Sequence, residues 1–454
     1  MSFPAITART ATLLVACIGV LLAQVDTSVV NLAVHRIRDT FGADPAAVRW
    51  VVDSYNLTYA AAILSAGGLA DILGRRRLFV LGTIVFTLGS IGCTVAPNDA
   101  TLIAARAVTG IGAALEVPAT LALLSVAFPE GPQRASALGI WASMNGLAFV
   151  VGPLAGGLLA DALGWRSLFA IAVPIAVLAL ALARRVEEPA IAGTRSLDLA
   201  GQLFAAVGLG ALAFAGMAAG IRETKGALLW LVLACAAFAA FLACERTAKA
   251  PLVDLRLFRD RPFVAATFAT MAMTFGMYGV LYLTPLALQT FGHASTTRAG
   301  IALLPMSLVF VVTSSASGRV VARIGAHAAI VSGMAAMGAG CLVLALGGTQ
   351  NTLALSLGLA STGLGMGLAT GQLLGYAVSR APGERAGTAS GIGNAARMIG
   401  ATLGVAIIGG SFALAHGGDL TPLRIGFASG GVVQLLGALV AFVGIRETRR
   451  DPSA

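Results

Sequence analysis

Fourteen stretches of about twenty apolar residues run along the chain, and a helix crossing a bilayer core needs ~20 such residues. They lie at 11–34, 51–70, 78–97, 101–127, 137–160, 166–184, 199–219, 228–244, 263–287, 299–318, 326–346, 352–377, 388–413 and 424–445. Hydrophobic residues make up 57% of the 454 positions and charged residues only 11%. That is too little polar surface to cover a soluble fold of this length. The composition excludes a disordered chain, a nucleic-acid-binding domain and most soluble enzymes. The fold class expected is an all-α integral membrane protein.

The sparse charge sets an orientation. An even number of crossings puts both termini on one side, and cytoplasmic loops carry the excess of Lys and Arg. Twenty Lys and Arg residues fall on the terminal side, among them Arg75, Arg76 and Arg77. Eight fall on the other side, and Arg106 and Arg397 lie within spans. Both termini are therefore expected in the cytoplasm. This also accounts for the net charge of +10 without a nucleic-acid partner. The five cysteines sit far apart in apolar segments, with neither disulfide nor metal-ligand spacing. Met1–Thr10 shows no small-residue cleavage site, so the first apolar run reads as a retained helix.

The chain echoes itself. Gly67-Gly68-Leu-Ala-Asp71-Ile-Leu-Gly74 returns as Gly318-Arg-Val-Val-Ala-Arg-Ile-Gly325, 251 residues later. Arg134-Ala-Ser-Ala-Leu-Gly139 returns at Arg385 with the same offset, and Gly110-Ile-Gly112 returns at Gly363-Leu-Gly365 after 253. Six spans at about 33 residues each account for only ~200 of that offset. The excess matches two inserted spans, 199–219 and 228–244. The expected organisation is a six-helix bundle over 1–190, two linking transmembrane helices over 191–250, and a second six-helix bundle over 251–454.

Four motifs stand at definite places in this plan. Gly68-Leu-Ala-Asp71-Ile-Leu-Gly74-Arg75-Arg76-Arg77 joins spans two and three. Its glycines allow close helix approach, its acid can cap or pair, and its arginines can meet helix C-termini or carboxylates. Arg106, with Gly110 and Gly112, lies in span four. Gly152-Pro153-Leu-Ala-Gly156-Gly157 lies in span five, where small residues and proline favour a bendable, closely packed helix. Asp26-Thr27-Ser-Val-Val-Asn31 lies in span one.

Together these motifs resemble the major facilitator superfamily, in particular its fourteen-helix drug:proton antiporters, over essentially the whole chain. The resemblance implies the major facilitator fold, a cytoplasmic gate at Gly68, Asp71, Gly74 and Arg75, and proton coupling through Arg106. It implies that Gly152, Pro153, Gly156 and Gly157 mark an exporter, and that Asp26, Thr27 and Asn31 form the drug-antiporter signature of helix one. The chain departs from the family pattern at Ile72 (usually basic), Ala148 (usually glycine) and His35 (usually proline). Glu116 also stands where the family usually has an apolar residue.

Setting helix ends aside, two carboxylates lie within the spans, Asp26 and Glu116. An ionisable group inside a bilayer is a functional site by default. Asp26 and Arg106 fall at similar depth and can pair. Glu116 suits a proton site or the counter-ion of a cationic substrate. Arg397 in span thirteen can balance a carboxylate across a central cavity, while Asp53 reads as an interfacial or capping acid. Gln24, Asn145, Gln289 and Gln372 are candidates to line the cavity. Gly387-Thr-Ala-Ser-Gly391-Ile-Gly393 mimics a dinucleotide loop, but about twenty apolar residues follow it where a soluble βαβ unit is required. His35, His293, His327 and His416 lack metal-ligand spacing.

The function expected is proton-coupled efflux by alternating access. The substrate is a lipophilic small molecule such as an antibiotic or dye, a cationic one being favoured by Glu116 alone. The alternatives are a narrow-specificity metabolite exporter, a nutrient importer or facilitator, and, least favoured, a non-transporting sensor. The setting expected is a bacterial inner membrane, with the protein acting as a monomer and the proton as coupling ion. No enzyme activity, cofactor, metal or nucleic-acid partner is expected.

Overall fold

The computed structural model describes residues 7–128, 131–188, 199–220, 224–247, 255–380, 386–415 and 419–445. Both expected boundaries of the linking segment, near 190 and 250, lie outside the described residues. So do Arg385 and His416.

The first helices are α1 (Ala8–Phe41), α2 (Pro45–Leu73), α3 (Arg75–Val95), α4 (Asp99–Ala127) and α5 (Gly131–Leu163). Two pieces of one broken crossing follow, α6 (Ser167–Ala170) and α7 (Ala172–Ala183). Then come α8 (Leu199–Gly220), α9 (Thr224–Thr247) and, after a short 3-10 turn, α10 (Arg261–Thr290). Another broken crossing is made of α11 (Thr296–Ala302) and α12 (Leu304–Ile324). The chain closes with α13 (Ala326–Gly347), α14 (Thr352–Ser379), α15 (Ala386–Ala413) and α16 (Thr421–Gly444). With each broken pair counted once, the described residues make fourteen crossings at the expected places. Among the described residues, eleven helical segments, α11–α12 counted as one, are long and apolar enough to span a bilayer, and shorter apolar segments lie in α6–α7 and α8. α1 runs about two turns beyond the apolar stretch and stays helical through His35, where the family pattern has proline.

Helices α1 to α7 pack among themselves, as do α10 to α16. The two halves repeat one packing scheme. Gly74 (φ 93°) and Gly325 (φ 82°), 251 residues apart, turn the chain between α2 and α3 and between α12 and α13. Such backbone is open mainly to glycine. Gly89 lies against Thr109 across α3 and α4, and Gly340 against Thr362 across α13 and α14. Likewise Gly112 meets Phe86, and Gly365 meets Met337. A β-carbon at any of these four glycines would strike the facing helix. Glycine is thus what permits the close approach, and this explains the echo in the sequence.

The halves meet along α2 and α15, α5 with α11 and α12, and α1 with α10. Linking helix α8 packs on α9 and lies in the groove between α2 and α15, touching both halves. An aromatic stack ties the pair to α2: Phe214 lies 4.3 Å from Trp50 and 4.5 Å from Trp230 between ring centres. Most of the apolar surface of α9 faces outward, as a lipid-facing helix requires.

Candidate functional site: a buried ion pair and a closed seam

Asp26 and Arg106 meet inside the N-terminal half. Arg106 Nη1 lies 2.6 Å from Asp26 Oδ2, and neither side chain is more than 3% exposed. Arg106 therefore does not snorkel to water. Its Nε donates to the Val51 carbonyl of α2 at 3.0 Å, and its guanidinium sits 4.6 Å over the Tyr55 ring. The Phe169 ring lies 5.6 Å away. The pair is held by a backbone acceptor and two aromatic faces, so its geometry is set by α1, α2, α4 and α6 together. A buried ion pair costs several kcal/mol in lost hydration and persists only with good geometry. Elsewhere in the helix-one signature, Thr27 donates to Ala23 O and Asn31 to Thr27 O, and Asn31 Oδ1 is buried without a partner among the described residues.

Glu116 is fully buried on α4 but belongs to a different pocket. A β-carbon on Gly19 of α1 would sit 2.7 Å from Glu116 Oε1 and 2.9 Å from Phe79. The carboxyl thus fills a notch between α1 and α3, near Thr83. It takes part in no ion pair among the described residues. Arg397 on α15 donates to Asn394 Oδ1 at 3.3 Å and lies within electrostatic reach of Tyr59 on α2 and Tyr278 on α10. It therefore stands at the seam between the halves. Gln289 also stands at the seam, donating to Leu32 O on α1. The side chain of Asn145 lies outside the described residues.

At the end of the bundle where α1 begins, the loop motif is tied to its own half. The surroundings of Gly68 and of the Asp71 side chain lie outside the described residues. Arg75 donates to Ala122 O at 3.3 Å and Arg76 Nε to Ala183 O at 2.8 Å. Glu188, just beyond α7, accepts from the backbone N–H groups of Arg76 and Arg77 at 3.1 and 3.0 Å. An acid there satisfies orphan donors at the positive end of α3. A β-carbon on Gly74 would fall 2.8 Å from the Glu188 carboxyl carbon.

The opposite, distal end is where α1, α3 and α5 finish. Hydrogen bonds that join the halves gather there among the described residues. Asp161 on α5 pairs with Arg36 of α1 and accepts from the backbone N–H groups of Thr296 and Thr297, the first residues of α11. Arg36 also donates to Thr296 Oγ1 at 2.8 Å, and His35 lies 3.1 Å from Thr290. The span-five motif builds this contact. Gly152 and Gly156 receive Ser28 and Val29 of α1, while Gly157 faces Thr297 and Pro153 faces Gly300. Ala148 is fully buried, and its carbonyl accepts from Ser28.

The model of the Major Facilitator Superfamily matches residues 16–405. The chain belongs to that superfamily. The multidrug resistance protein Stp of Mycobacterium tuberculosis is 37% identical over 415 residues, covering 90% of this chain and 77% of the relative. The methylenomycin A resistance protein of Bacillus subtilis is 34% identical over 410 residues, covering 87% and 86%. Among solved structures, a D-xylose–proton symporter superposes with a TM-score of 0.68 at 16% identity, covering 97% of this chain and 98% of the other. That likeness concerns the fold. The protein is accordingly a multi-pass transporter of the major facilitator superfamily and not an enzyme.

Superfamily motifs alone do not point to every buried charge. Arg49 and Asp53 on α2 are 1% and 0% exposed, and Asp53, expected as an interfacial or capping acid, caps no N–H group among the described residues. Tyr282 of the other half lies within electrostatic reach of it. Asp161 and Glu188 are helix-end acids whose partners, the N–H groups that open α11 and α3, only the fold brings to them.

Proposed function

We propose that this transporter exports lipophilic small molecules, antibiotics or dyes among them, in exchange for protons entering the cell. The observation that carries this reading is the Asp26–Arg106 pair, a carboxylate and a guanidinium removed from water and fixed to three helices. A proton arriving at Asp26 breaks the pair. Arg106 then remains charged in an apolar surrounding, which favours a rearrangement of α1 against α4 and gives the proton leverage over the conformation. The relatives' printed roles in drug resistance support the direction of transport. The closed distal end supports a cavity that opens toward the side of the termini, which the positive-inside count assigns to the cytoplasm. In this reading the protein works as a monomer in a bacterial inner membrane and carries no cofactor.

Glu116 lies in a notch inside one half, which favours a proton-binding role over that of substrate counter-ion. The substrate class is therefore lipophilic, with charge left open. The test uses everted vesicles carrying full-length protein. Substrate-dependent proton release is expected from the native chain and is lost in Asp26→Asn. Full release from that variant removes Asp26 from the coupling scheme.

A further inference from the structure

Arg49, Asp53 and Asn56 occupy one face of α2, at spacings that stack side chains on successive turns. All three are buried. The three guanidinium nitrogens of Arg49, both carboxylate oxygens of Asp53 and both polar atoms of Asn56 lack a hydrogen-bond partner among the described residues. Such a cluster is costly anywhere and more so in a membrane protein.

Part of its surroundings belongs to the other half. Tyr282 of α10 lies within electrostatic reach of both Arg49 and Asp53. Gly409 of α15 packs against the same ring: a β-carbon there would sit 2.8 Å from Tyr282 and 3.7 Å from Arg49 Cδ. The other charged group facing this ring is Arg38 of α1, of the same sign as Arg49. The described part of α15 facing the cluster contributes no charge. α2 packs on α4 and α8 and, across the seam, on α15, so the cluster's enclosure is completed where α15 and the Tyr282 ring of α10 meet α2.

The charges decide what closure tolerates. With Asp53 ionised, the seam closes over two opposite charges one turn apart on α2, within electrostatic reach though not hydrogen-bonded, whose sum is zero. With Asp53 protonated, it closes over the Arg49 guanidinium, with Arg38 nearby and only a phenol to face it. Removing one member of a buried pair is strongly destabilising because it leaves the other uncompensated. Closure and protonation of Asp53 therefore oppose each other. We propose that Asp53 is a proton-binding site of the distal gate: it takes a proton when the halves part at this end, and releases it for them to close over Arg49.

This site is separate from the Asp26 pair but shares a strut with it. Val51, whose carbonyl holds Arg106, lies between Arg49 and Asp53 on α2. The inference rests on alternating access but not on Asp26 being the coupling acid.

The experiment measures the gate directly. Spin labels on Ala100→Cys and Leu353→Cys, at the distal starts of α4 and α14, report the distance across this end. The protein is full-length, in lipid nanodiscs, with its native cysteines replaced and no substrate added. Acid buffer is expected to shift the native distance distribution to longer values, and neutral buffer to reverse it. Asp53→Asn is expected to hold the long distance at both conditions, with Asp53→Glu retaining the response. Arg49→Met combined with Asp53→Leu removes both charges and is expected to stay short at both. A pH response that survives in Asp53→Asn, or its absence in the native chain, overturns the proposal. Asp26→Asn keeps the response while losing proton-coupled efflux, so failure here and failure of the coupling assignment are told apart. A response lost in Asp26→Asn but kept in Asp53→Asn assigns the gate to Asp26 and overturns the role of Asp53.

Discussion

Asp161 accepts a hydrogen bond from the Thr297 backbone N–H at 2.8 Å, and the two residues belong to opposite halves of the transporter. The carboxylate of α5 thus caps a helix of the other half. A cap normally secures its own helix. Here it secures an interface, because opening the distal end exposes the α11 donors again. Asp161→Ala removes the acceptor and the Arg36 partner together. Charge-assisted bonds of this kind are worth ~1.5–3 kcal/mol. Roughly a tenfold shift toward the distally open form is expected, read as faster labelling of a cysteine placed at Thr297. Unchanged labelling sinks the latch.

Breaking the Asp26–Arg106 pair one member at a time is predicted to cost more than removing both. Asp26→Leu alone leaves a buried guanidinium and should lower stability by about 3–5 kcal/mol. Asp26→Leu with Arg106→Met should recover most of the thermal midpoint in detergent, yet show no efflux. Recovery of transport in the double variant contradicts a coupling role for the pair.

Glu116→Gln keeps the volume that fills the Gly19 notch and changes only the ionisable group. Efflux of a neutral and of a cationic dye is expected to fall in the same proportion, measured in cells loaded with each. A selective loss of the cationic dye returns Glu116 to the role of counter-ion.

The repeated glycine packing predicts paired sensitivities. Gly112→Val drives a side chain into the Phe86 backbone, and Gly365→Val drives one into Met337 of the other half. Overpacking costs ~1–3 kcal/mol, and more where backbone is struck. Both variants should lose comparable amounts of folded protein in size-exclusion profiles. Gly210→Ala, on linking helix α8 with open space around it, should be silent.

Most of the architecture was legible because it depends on local chemistry. Apolar length marks each crossing, and glycine at a fixed spacing marks where two helices touch. Asp26 and Arg106 were legible for the opposite reason: charges are rare in the bilayer, so two at one depth invite pairing. The surroundings of Asp53 are less legible, because Tyr282, which faces it, and Gly409, which packs on Arg49, lie more than 200 residues away in sequence. Glu188 was passed over because the helix it caps begins 113 residues earlier, at Arg75. The expectation of a cationic substrate rests on Glu116 alone. Span periodicity does not fix which way Glu116 faces, since residues 112–115 and 117–119 around it are all apolar or glycine.

The α8–α9 pair carries a consequence of parity. Two crossings return the chain to the side it left, so the C-terminal half enters the membrane as it would if joined directly to the N-terminal half. One added crossing would have turned α10 to α16 upside down and separated Asp161 from Thr297 by the full thickness of the bilayer. Adding or removing an even pair is thus topologically silent, and neither half need be rebuilt. The pair is not mechanically silent, since α8 lies against both α2 and α15 and any movement of one half on the other must slide past it.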